Sequence, residues 1–275
     1  MSKDRFGFGI VEWALPYNGQ YGCQVAKQAG FDAIQIDLGN YTNNFPMARP
    51  EMIKIYMEQA EKWEITYPSM AITTLGKFGV QMTATQGTVG KQLAYMAIKK
   101  AIDTCDEMGI PLIMVPSFFD DRIKDEKDME ETVTCLKYAV DYADKKNITI
   151  STEAVLDAEK TIELIDRVGG NKLKVYFDTQ NYKLFGNCNT VETFNQLLPY
   201  IAEIHVKDGN TRVSQTLLGD GMFEVKEIAD AIKASNYSGW IMSENYYDTH
   251  MAPLSDDSFG MMAEDARRVK EFFRV

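Results

Sequence analysis

Cysteine and histidine are scarce in this sequence, with four cysteines and two histidines among 275 residues. The cysteines are widely scattered and form no CxxC pair. Thiols used in this way are typical of small buried hydrophobes in a reducing compartment. We therefore expect a cytoplasmic chain without disulfides. The four positions are Cys23, Cys105, Cys135 and Cys188.

Long hydrophobic runs are also missing. No stretch approaches the roughly 18 uninterrupted apolar residues of a membrane span. The opening residues MSKDRFGFGIVEW are charged and then only briefly apolar, so they lack the hydrophobic region of a signal peptide. We expect a soluble protein that has no membrane partner.

Positive charge is in short supply. The chain has 29 Lys and Arg against 40 Asp and Glu, a net charge of −11 and a pI of about 4.8. No basic run is present that could follow a phosphate backbone, which argues against a nucleic-acid partner. Neither GxGxxG nor GxxxxGK[ST] occurs, so a doubly wound sheet, the alternative α/β fold, lacks its usual phosphate loop.

Short β-like runs alternate with longer helical patterns along the whole chain. The clearest helix covers Thr88–Met108, where apolar residues recur every three or four positions and Gly109 follows. Residues 110–117 form a compact apolar run, as expected for a strand buried on both faces. Counting gives eight strands and eight helices with no linker-like tract. This alternation predicts an α/β fold, a (β/α)8 TIM barrel forming a single domain over residues 1–275.

The predicted elements can be placed along the sequence. Strands are expected at 6–13, 31–38, 64–73 and 110–117, and in four later runs that end at Glu153, Asp178, His205 and Glu244. Helices are expected at 22–28, 50–63, 88–108, 129–146, 157–168, 190–199, 224–235 and 257–273. Residues 74–87 and 118–127 show no clear period. We expect them to form loops over the active end of the barrel.

The four later runs each end in a residue that can bind a metal. In a parallel barrel the carboxyl ends of successive strands converge, and catalytic groups collect there. Each residue also has a simpler interpretation. His205 could be a hydrogen-bonded core residue, and Asp178 could be a helix N-cap. Glu153 and Glu244 could form ion pairs with Lys207 or Arg212.

The simpler interpretations are hard to hold together, because three carboxylates would crowd one barrel mouth. Without a cation, their mutual repulsion would be costly or would force protonation. A bound divalent cation resolves this conflict. Three carboxylates and one imidazole suit Mn²⁺, Mg²⁺ or Co²⁺, whereas zinc would be expected to recruit more nitrogen or sulfur ligands.

The segments STEA, YFDTQN, EIHVKD, LLGDG and NYSGWIMSE resemble the sugar isomerase/epimerase family with a xylose-isomerase-like barrel. That family includes ketose 3-epimerases, ketopentose-phosphate 3-epimerases and hydroxypyruvate isomerases. The resemblance implies that Glu153, Asp178, His205 and Glu244 bind one divalent metal, usually manganese. It also implies that Glu153 and Glu244 serve as the acid/base pair. Glu159 matches a carboxylate that helps orient the second position, which makes it a candidate substrate-binding residue.

Two departures concern the substrate-binding residues. The ketose 3-epimerases carry a His three residues after the metal-binding Asp, where this chain has Asn181. They also carry an Arg six residues after the metal-binding His, where this chain has Thr211 followed by Arg212. The segment DTQNYKLFG is nearer to the phosphate-sugar epimerases, for which Arg212, Lys183 and Lys207 are candidate phosphate contacts. Trp13 is a further candidate for lining a sugar pocket.

These expectations define a mechanism. A metal that chelates the sugar oxygens would stabilise an enediolate, and two carboxylates on opposite faces would remove and return the proton. An isomerase of the hydroxypyruvate type would return it to the same face. We expect a sugar or sugar-phosphate substrate and a homo-oligomer, either a dimer or a tetramer.

Three other classes of protein could in principle use such a barrel. A carbon-glycoside-cleaving lyase subunit uses a barrel of this kind and stays open as an alternative. An endonuclease-IV-like hydrolase needs several more histidines than His205 and His250. A binding or scaffolding protein on a retained barrel would be expected to have lost metal ligands, whereas all four positions here are competent.

Overall fold

The structure is a computed structural model that describes residues 5–274; the two ends of the predicted 1–275 domain therefore lie outside the described residues. Eight parallel strands form a closed barrel in sequence order, from β1 to β8 and back to β1. The (β/α)8 barrel expected from the alternation of elements is confirmed. The strands are β1 (Phe6–Val11), β2 (Ala33–Asp37), β3 (Ser69–Ala71), β4 (Leu112–Ser117), β5 (Thr149–Ala154), β6 (Leu173–Asp178), β7 (Ile201–Val206) and β8 (Gly239–Ser243).

Helices connect the strands. They are α1 (Gly22–Ala29), α2 (Pro50–Trp63), α3 (Val89–Met108), α4 (Glu126–Asp144), α5 (Ala158–Val168), α6 (Asn181–Gly186), α7 (Thr190–Leu197), α8 (Val225–Ala234) and α9 (Ser258–Phe272). The predicted helix limits at Thr88 and Gly109 are confirmed, because Thr88 is the N-cap of α3 and Gly109 ends it in the left-handed conformation with φ of +70°. Within residues 5–274, no helix combines the length and apolar character that crossing a membrane requires.

Contacts within the chain fall into two compact units. Among the described residues, the first contains residues 5–35, 58–67 and 177–274, and the second contains residues 36–57 and 68–176. The interpretation of residues 1–275 as one domain therefore stays a prediction, although the strands close into one sheet.

In the first unit, two glycines of β1 make room for large side chains of β8. A Cβ atom added to Gly7 would lie 2.4 Å from Cε3 of Trp240, and one added to Gly9 would lie 2.5 Å from Cε of Met242. β1 and β8 are paired along Phe6–Ile10. The small residues of β1 thus let the β8 side chains fill the space beside this strand pair.

In the second unit, the two long loops contact each other. The carboxylate of Asp121 accepts hydrogen bonds from the backbone and the hydroxyl of Thr83, each at 3.1 Å. Gly76 lies so close to the carbonyl of Phe118 that a Cβ atom would stand 2.1 Å from it. These loops follow the carboxyl ends of β3 and β4. That they cover the barrel mouth stays a prediction.

Several predicted limits are wrong. The strand expected at 64–73 is ordered as β3 only over Ser69–Ala71. Pro68 has no N–H to donate, and Glu64 has a φ of +51°, so the preceding residues do not continue the ladder. The strand expected to reach residue 13 ends at Val11 and gives way to a 3₁₀ turn. The short helix α6 was not predicted.

Candidate metal centre

The four residues predicted to bind a metal do come together. Glu153 lies near the end of β5, Asp178 ends β6, His205 lies near the end of β7 and Glu244 follows β8 directly. All four are buried, and each offers one ligand atom within 4.8 Å of the others. Parallel strands bring their carboxyl ends to one side of the barrel, which explains how residues so distant in sequence meet.

Asp178 uses its two carboxylate oxygens differently. Oδ1 accepts hydrogen bonds from the backbone N–H groups of Gln180 at 2.8 Å and Asn181 at 2.7 Å, at the start of α6. The N-cap of α6 is Gln180, so Asp178 is not the helix N-cap itself, but its carboxylate accepts backbone N–H groups where the helix begins. Oδ2 faces His205 and Lys207. One oxygen holds the local backbone while the other belongs to the cluster.

His205 is oriented by a side chain of β2. Its Nε2 atom lies 2.7 Å from Oε1 of Gln35, and both residues are fully buried. A carbonyl oxygen only accepts hydrogen bonds, so Nε2 carries the proton and Nδ1 keeps its lone pair. Nδ1 lies 3.3 Å from Oε2 of Glu244 and 3.9 Å from Oδ2 of Asp178. The ligand nitrogen thus points toward two of the carboxylates.

Glu244 is held by neutral donors on one oxygen and by a cation on the other. Oε1 accepts hydrogen bonds from the Trp13 indole at 2.9 Å and from the Tyr246 hydroxyl at 3.2 Å. Oε2 lies 2.5 Å from Nζ of Lys207. Burial alone would raise the pKa of Glu244, but the ammonium of Lys207 outweighs burial and holds that pKa below its usual range. Glu244 is therefore an ionised carboxylate at neutral pH.

Lys207 is part of the cluster. Its ammonium lies 2.8 Å from Oδ2 of Asp178 and 2.5 Å from Oε2 of Glu244, and the residue is 3% exposed. The ion pair between Glu244 and Lys207, which the sequence left open as an alternative to metal binding, is present. A phosphate contact made by Lys207 would have to occur inside the cluster.

The donor set fits a divalent cation. Three carboxyl groups and one imidazole are the oxygen-rich ligands that hard or borderline cations prefer. The choice of manganese over magnesium or cobalt stays a prediction.

The other predicted substrate-binding residues lie in different surroundings. Trp13 donates to Glu244, and Asn181 is buried at the start of α6. Arg212 is exposed in the segment between β7 and α8, and Glu159 is exposed in the first turn of α5. The substrate-binding roles of all these residues stay predictions.

Sequence reasoning missed Gln35 and Tyr246 as partners of the ligand residues. Gln35 carried one signal, since it is a polar residue in the middle of the apolar run FDAIQIDL. Its partner His205 is 170 positions away, and periodicity contains no information about such a contact. Tyr246 carried no signal beyond being an aromatic residue two positions after Glu244.

The segment between β7 and α8 is held by hydrogen bonds to residues that lie close in sequence to the candidate metal ligands. Asp208 accepts backbone hydrogen bonds from Gly209 and Phe223 on Oδ1 and from Gly219 and Gly221 on Oδ2. These bonds explain the LLGDG turn (217–221), because a carboxylate sits where the backbone N–H groups converge. The turn is thus built around a side chain of this chain.

A second set of hydrogen bonds links this segment to α9. Asn245, the residue after Glu244, donates to Oδ2 of Asp265 at 2.6 Å and to the carbonyl of Thr216 at 3.1 Å. Oδ1 of Asp265 accepts the backbone N–H of Leu218 at 2.8 Å. Glu244 is therefore adjacent to a buried network that reaches the last helix.

Known proteins share this fold and sequence pattern. The chain is 28% identical over 253 residues to the 2-epi-5-epi-valiolone 7-phosphate 2-epimerase of Actinoplanes sp., an alignment covering 90% of this chain and 91% of the relative. A D-allulose 3-epimerase from Methylomonas sp. superposes with a TM-score of 0.76 at 15% identity, covering 98% of this chain and 99% of that one.

A third similarity concerns a metal-containing structure. The IOLI protein, solved with a bound zinc atom, superposes with a TM-score of 0.77 at 14% identity. The superposition covers 98% of this chain and 100% of that one. At such identities the superpositions establish the fold alone. The family model described as xylose isomerase-like TIM barrel matches residues 23–271, which is most of the sequence. The chain therefore belongs to the xylose isomerase-like TIM barrel family.

Proposed function

We propose that this protein is a divalent-metal-dependent epimerase of a ketose or a ketose phosphate. The observation that carries the proposal is the buried cluster of Glu153, Asp178, His205 and Glu244, whose ligand atoms lie within 4.8 Å of one another. A divalent cation held there would stabilise the negative charge that develops on the substrate oxygens as the proton leaves. Manganese is our first choice of metal, with magnesium and cobalt next.

The contacts of the cluster favour Glu153 and Glu244 as the acid/base pair. Asp178 is tied to the backbone through Oδ1 and to Lys207 through Oδ2, so it serves best as an immobile ligand. Glu244 is ionised, and Trp13 and Tyr246 fix the orientation of its carboxylate. In the proposed reaction, one glutamate removes the proton beside the ketone and the other delivers a proton to the opposite face.

The relatives support the proposed substrate class. The Actinoplanes relative is named for a 7-phosphate and for inversion at position 2, and the Methylomonas protein is named for D-allulose and inversion at position 3. Both support an epimerase whose substrate is a sugar-like ketone, with or without a phosphate. Lys183 and Arg212 are the exposed or half-exposed cations that we propose as candidate phosphate contacts.

We also propose a cytoplasmic homo-oligomer, a dimer or a tetramer. None of the four cysteines forms a disulfide, and burial raises the pKa of the Cys23, Cys105 and Cys135 thiols, so these thiols are suited to a reducing compartment. Light scattering of the purified protein measures the oligomeric state, and a monomer would contradict this part of the proposal.

The test uses the full chain, freed of metal by chelation and then reloaded with Mn²⁺. Candidate ketoses and ketose phosphates are incubated in D₂O, and NMR reports which C–H bond exchanges and whether the epimer forms. Glu153→Gln and Glu244→Gln should each lower turnover by roughly 10²–10⁴. Glu163→Gln is the control, because Glu163 is exposed and pairs with Arg167 on α5.

The outcomes separate the alternatives. Interconversion of two epimers that requires metal and both glutamates supports the proposal. Wild-type turnover by metal-loaded Glu153→Gln would overturn the acid/base assignment. Deuterium exchange that yields an aldose instead of an epimer would replace the epimerase by an aldose–ketose isomerase.

A further inference from the structure

Lys207 contacts two of the three carboxylates of the cluster. Its ammonium contacts Oδ2 of Asp178 at 2.8 Å and Oε2 of Glu244 at 2.5 Å. His205 turns its Nδ1 toward these same two oxygens, at 3.9 Å and 3.3 Å. The ammonium and the ligand nitrogen therefore face the same pair of carboxylate oxygens.

Those two oxygens are the ones that a metal would use. The other oxygen of Asp178 is taken up by two backbone N–H groups, and the other oxygen of Glu244 by Trp13 and Tyr246. A divalent cation bound by Asp178, His205 and Glu244 would thus have to share these oxygens with the ammonium or displace it. Either way, two cations would compete for the same negative charge.

We infer that Lys207 is a resident cation that stabilises the metal-free site and sets how tightly the site binds a divalent metal. This inference rests on the proposed metal site. In the metal-free protein the ammonium compensates the closely packed carboxylates, which would otherwise repel one another at short range. When metal binds, the ammonium gives up these two ion pairs and is free to donate to another oxygen acceptor.

The Lys207→Met variant tests the inference by metal binding, independently of turnover. Methionine keeps an unbranched apolar stem of similar length but removes the charge. Isothermal titration of the chelator-treated protein with MnCl₂ should show at least tenfold tighter binding by Lys207→Met than by the wild type. Titration with MgCl₂ should change in the same direction. Lys207→Gln, a smaller polar replacement, serves if Lys207→Met folds poorly.

Thermal unfolding of the metal-free and the metal-loaded proteins gives a second readout. The metal-free Lys207→Met protein should melt at a lower temperature than the metal-free wild type, because its carboxylates have lost their cation. The increase in melting temperature on adding Mn²⁺ should be larger in the variant, since tighter binding to the native state stabilises it more.

Lys91 supplies the matched control. It is also fully buried and ion-paired, but its ammonium contacts Glu131 at 2.8 Å and the carbonyl of Met82 in the other compact unit. Lys91→Met should destabilise the metal-free and metal-loaded proteins alike, so it should leave Mn²⁺ affinity unchanged. This pattern distinguishes a cation of the metal site from a buried lysine that only supports the fold.

Two results would overturn the inference, and only one of them would also contradict the proposed metal site. If the wild type binds Mn²⁺ while Lys207→Met and Lys207→Gln bind it equally or more weakly, the inference fails and the proposed metal site stands. If the wild type binds neither Mn²⁺ nor Mg²⁺, the proposed metal site fails together with the inference.

Discussion

The Nε2 atom of His205 on β7 lies 2.7 Å from the Oε1 atom of Gln35 on β2, and both side chains are fully buried. This hydrogen bond fixes which ring nitrogen carries the proton. It therefore leaves Nδ1 available as a ligand on the side of Asp178 and Glu244. Partners of this kind commonly orient metal-binding histidines and raise their basicity.

We expect Gln35→Leu to weaken Mn²⁺ binding by about 10–100-fold, the range typical for loss of such a partner. Leucine has no acceptor, so the imidazole could adopt the other tautomer or rotate. Gln35→Glu is the control because it retains an acceptor for Nε2 and should bind metal at least as well as Gln35→Leu. Titration calorimetry of both variants measures the effect. Equal affinities for Gln35→Leu and the wild type would contradict the orienting role.

A separate prediction concerns removal of the ligand itself. His205→Ala should have a lower melting temperature than the wild type chiefly when metal is present, because only the wild type gains stability from binding. A hundredfold excess of free metal over its dissociation constant corresponds to about 2.7 kcal/mol. Differential scanning fluorimetry with and without Mn²⁺ compares the two proteins. An identical metal-induced increase in both would show that His205 is not a ligand.

The positions of the four cluster residues could be predicted from the sequence because each ends an apolar run. Strand periodicity shows where a run stops, and parallel topology then places those ends together. Lys207 and Trp13 could be recognised only as residues near strand ends. Their contacts with Glu244 depend on side-chain directions in three dimensions, so the sequence left the ion pair with Lys207 open as one alternative and did not predict the hydrogen bond from Trp13.

Local chemistry also limited the prediction of element boundaries. Helix α4 begins at Glu126, three residues before the predicted start, because Asp125 caps it by accepting the backbone N–H of Asp128 at 2.9 Å. The apolar pattern used for the prediction starts only at Met129. The short helix α6 follows Asp178, whose side chain accepts two backbone N–H groups there. The spacing of apolar residues contains no information about these side-chain hydrogen bonds to the backbone.

The turn held by Asp208 yields a prediction about local order. Asp208→Ala would leave the backbone N–H groups of residues 209, 219, 221 and 223 without their acceptor. Loss of a buried acceptor typically costs about 1–3 kcal/mol. We expect faster limited proteolysis between β7 and α8 and a reduced free energy of unfolding.

The control for this turn is Asp220→Ala. Asp220 lies in the same segment but is exposed and pairs with Arg268, so its loss should have a small effect. Cleavage mapped by mass spectrometry compares the two variants. Equal cleavage rates in Asp208→Ala and the wild type would show that the turn does not depend on the carboxylate.

Asp265 provides a prediction about pH. Burial raises the pKa of this carboxyl group to about 7, although Asn245, Leu218 and Tyr247 donate hydrogen bonds that oppose the shift. The folded state therefore holds this proton up to a higher pH than the unfolded state, where the pKa is about 3.9. The contribution of this group to the stability of the folded state is therefore fully present below the unfolded-state pKa of about 3.9. This contribution is lost as pH rises from about 4 to about 7. Above that pH, Asp265 no longer makes the free energy of unfolding depend on pH.

Asp265→Asn removes the titration while keeping a similar shape. Its amide would face the donor of Asn245, so the variant carries a penalty, but that penalty does not change with pH. The free energy of unfolding of the wild type minus that of Asp265→Asn should fall between pH 5 and about 7 and stay constant above it. Denaturant unfolding at half-unit steps from pH 5 to pH 8 measures the difference.

Glu264, the neighbouring residue, gives the matched control. Hydrogen bonds from Arg267 and Arg268 lower the pKa of Glu264 to about 2, so the group is ionised in both states above pH 5. The difference between the wild type and Glu264→Gln should therefore be constant from pH 5 to pH 8. A constant difference for Asp265→Asn as well would show that Asp265 does not titrate in this range. In that case its three hydrogen-bond donors outweigh burial and the carboxylate is ionised throughout.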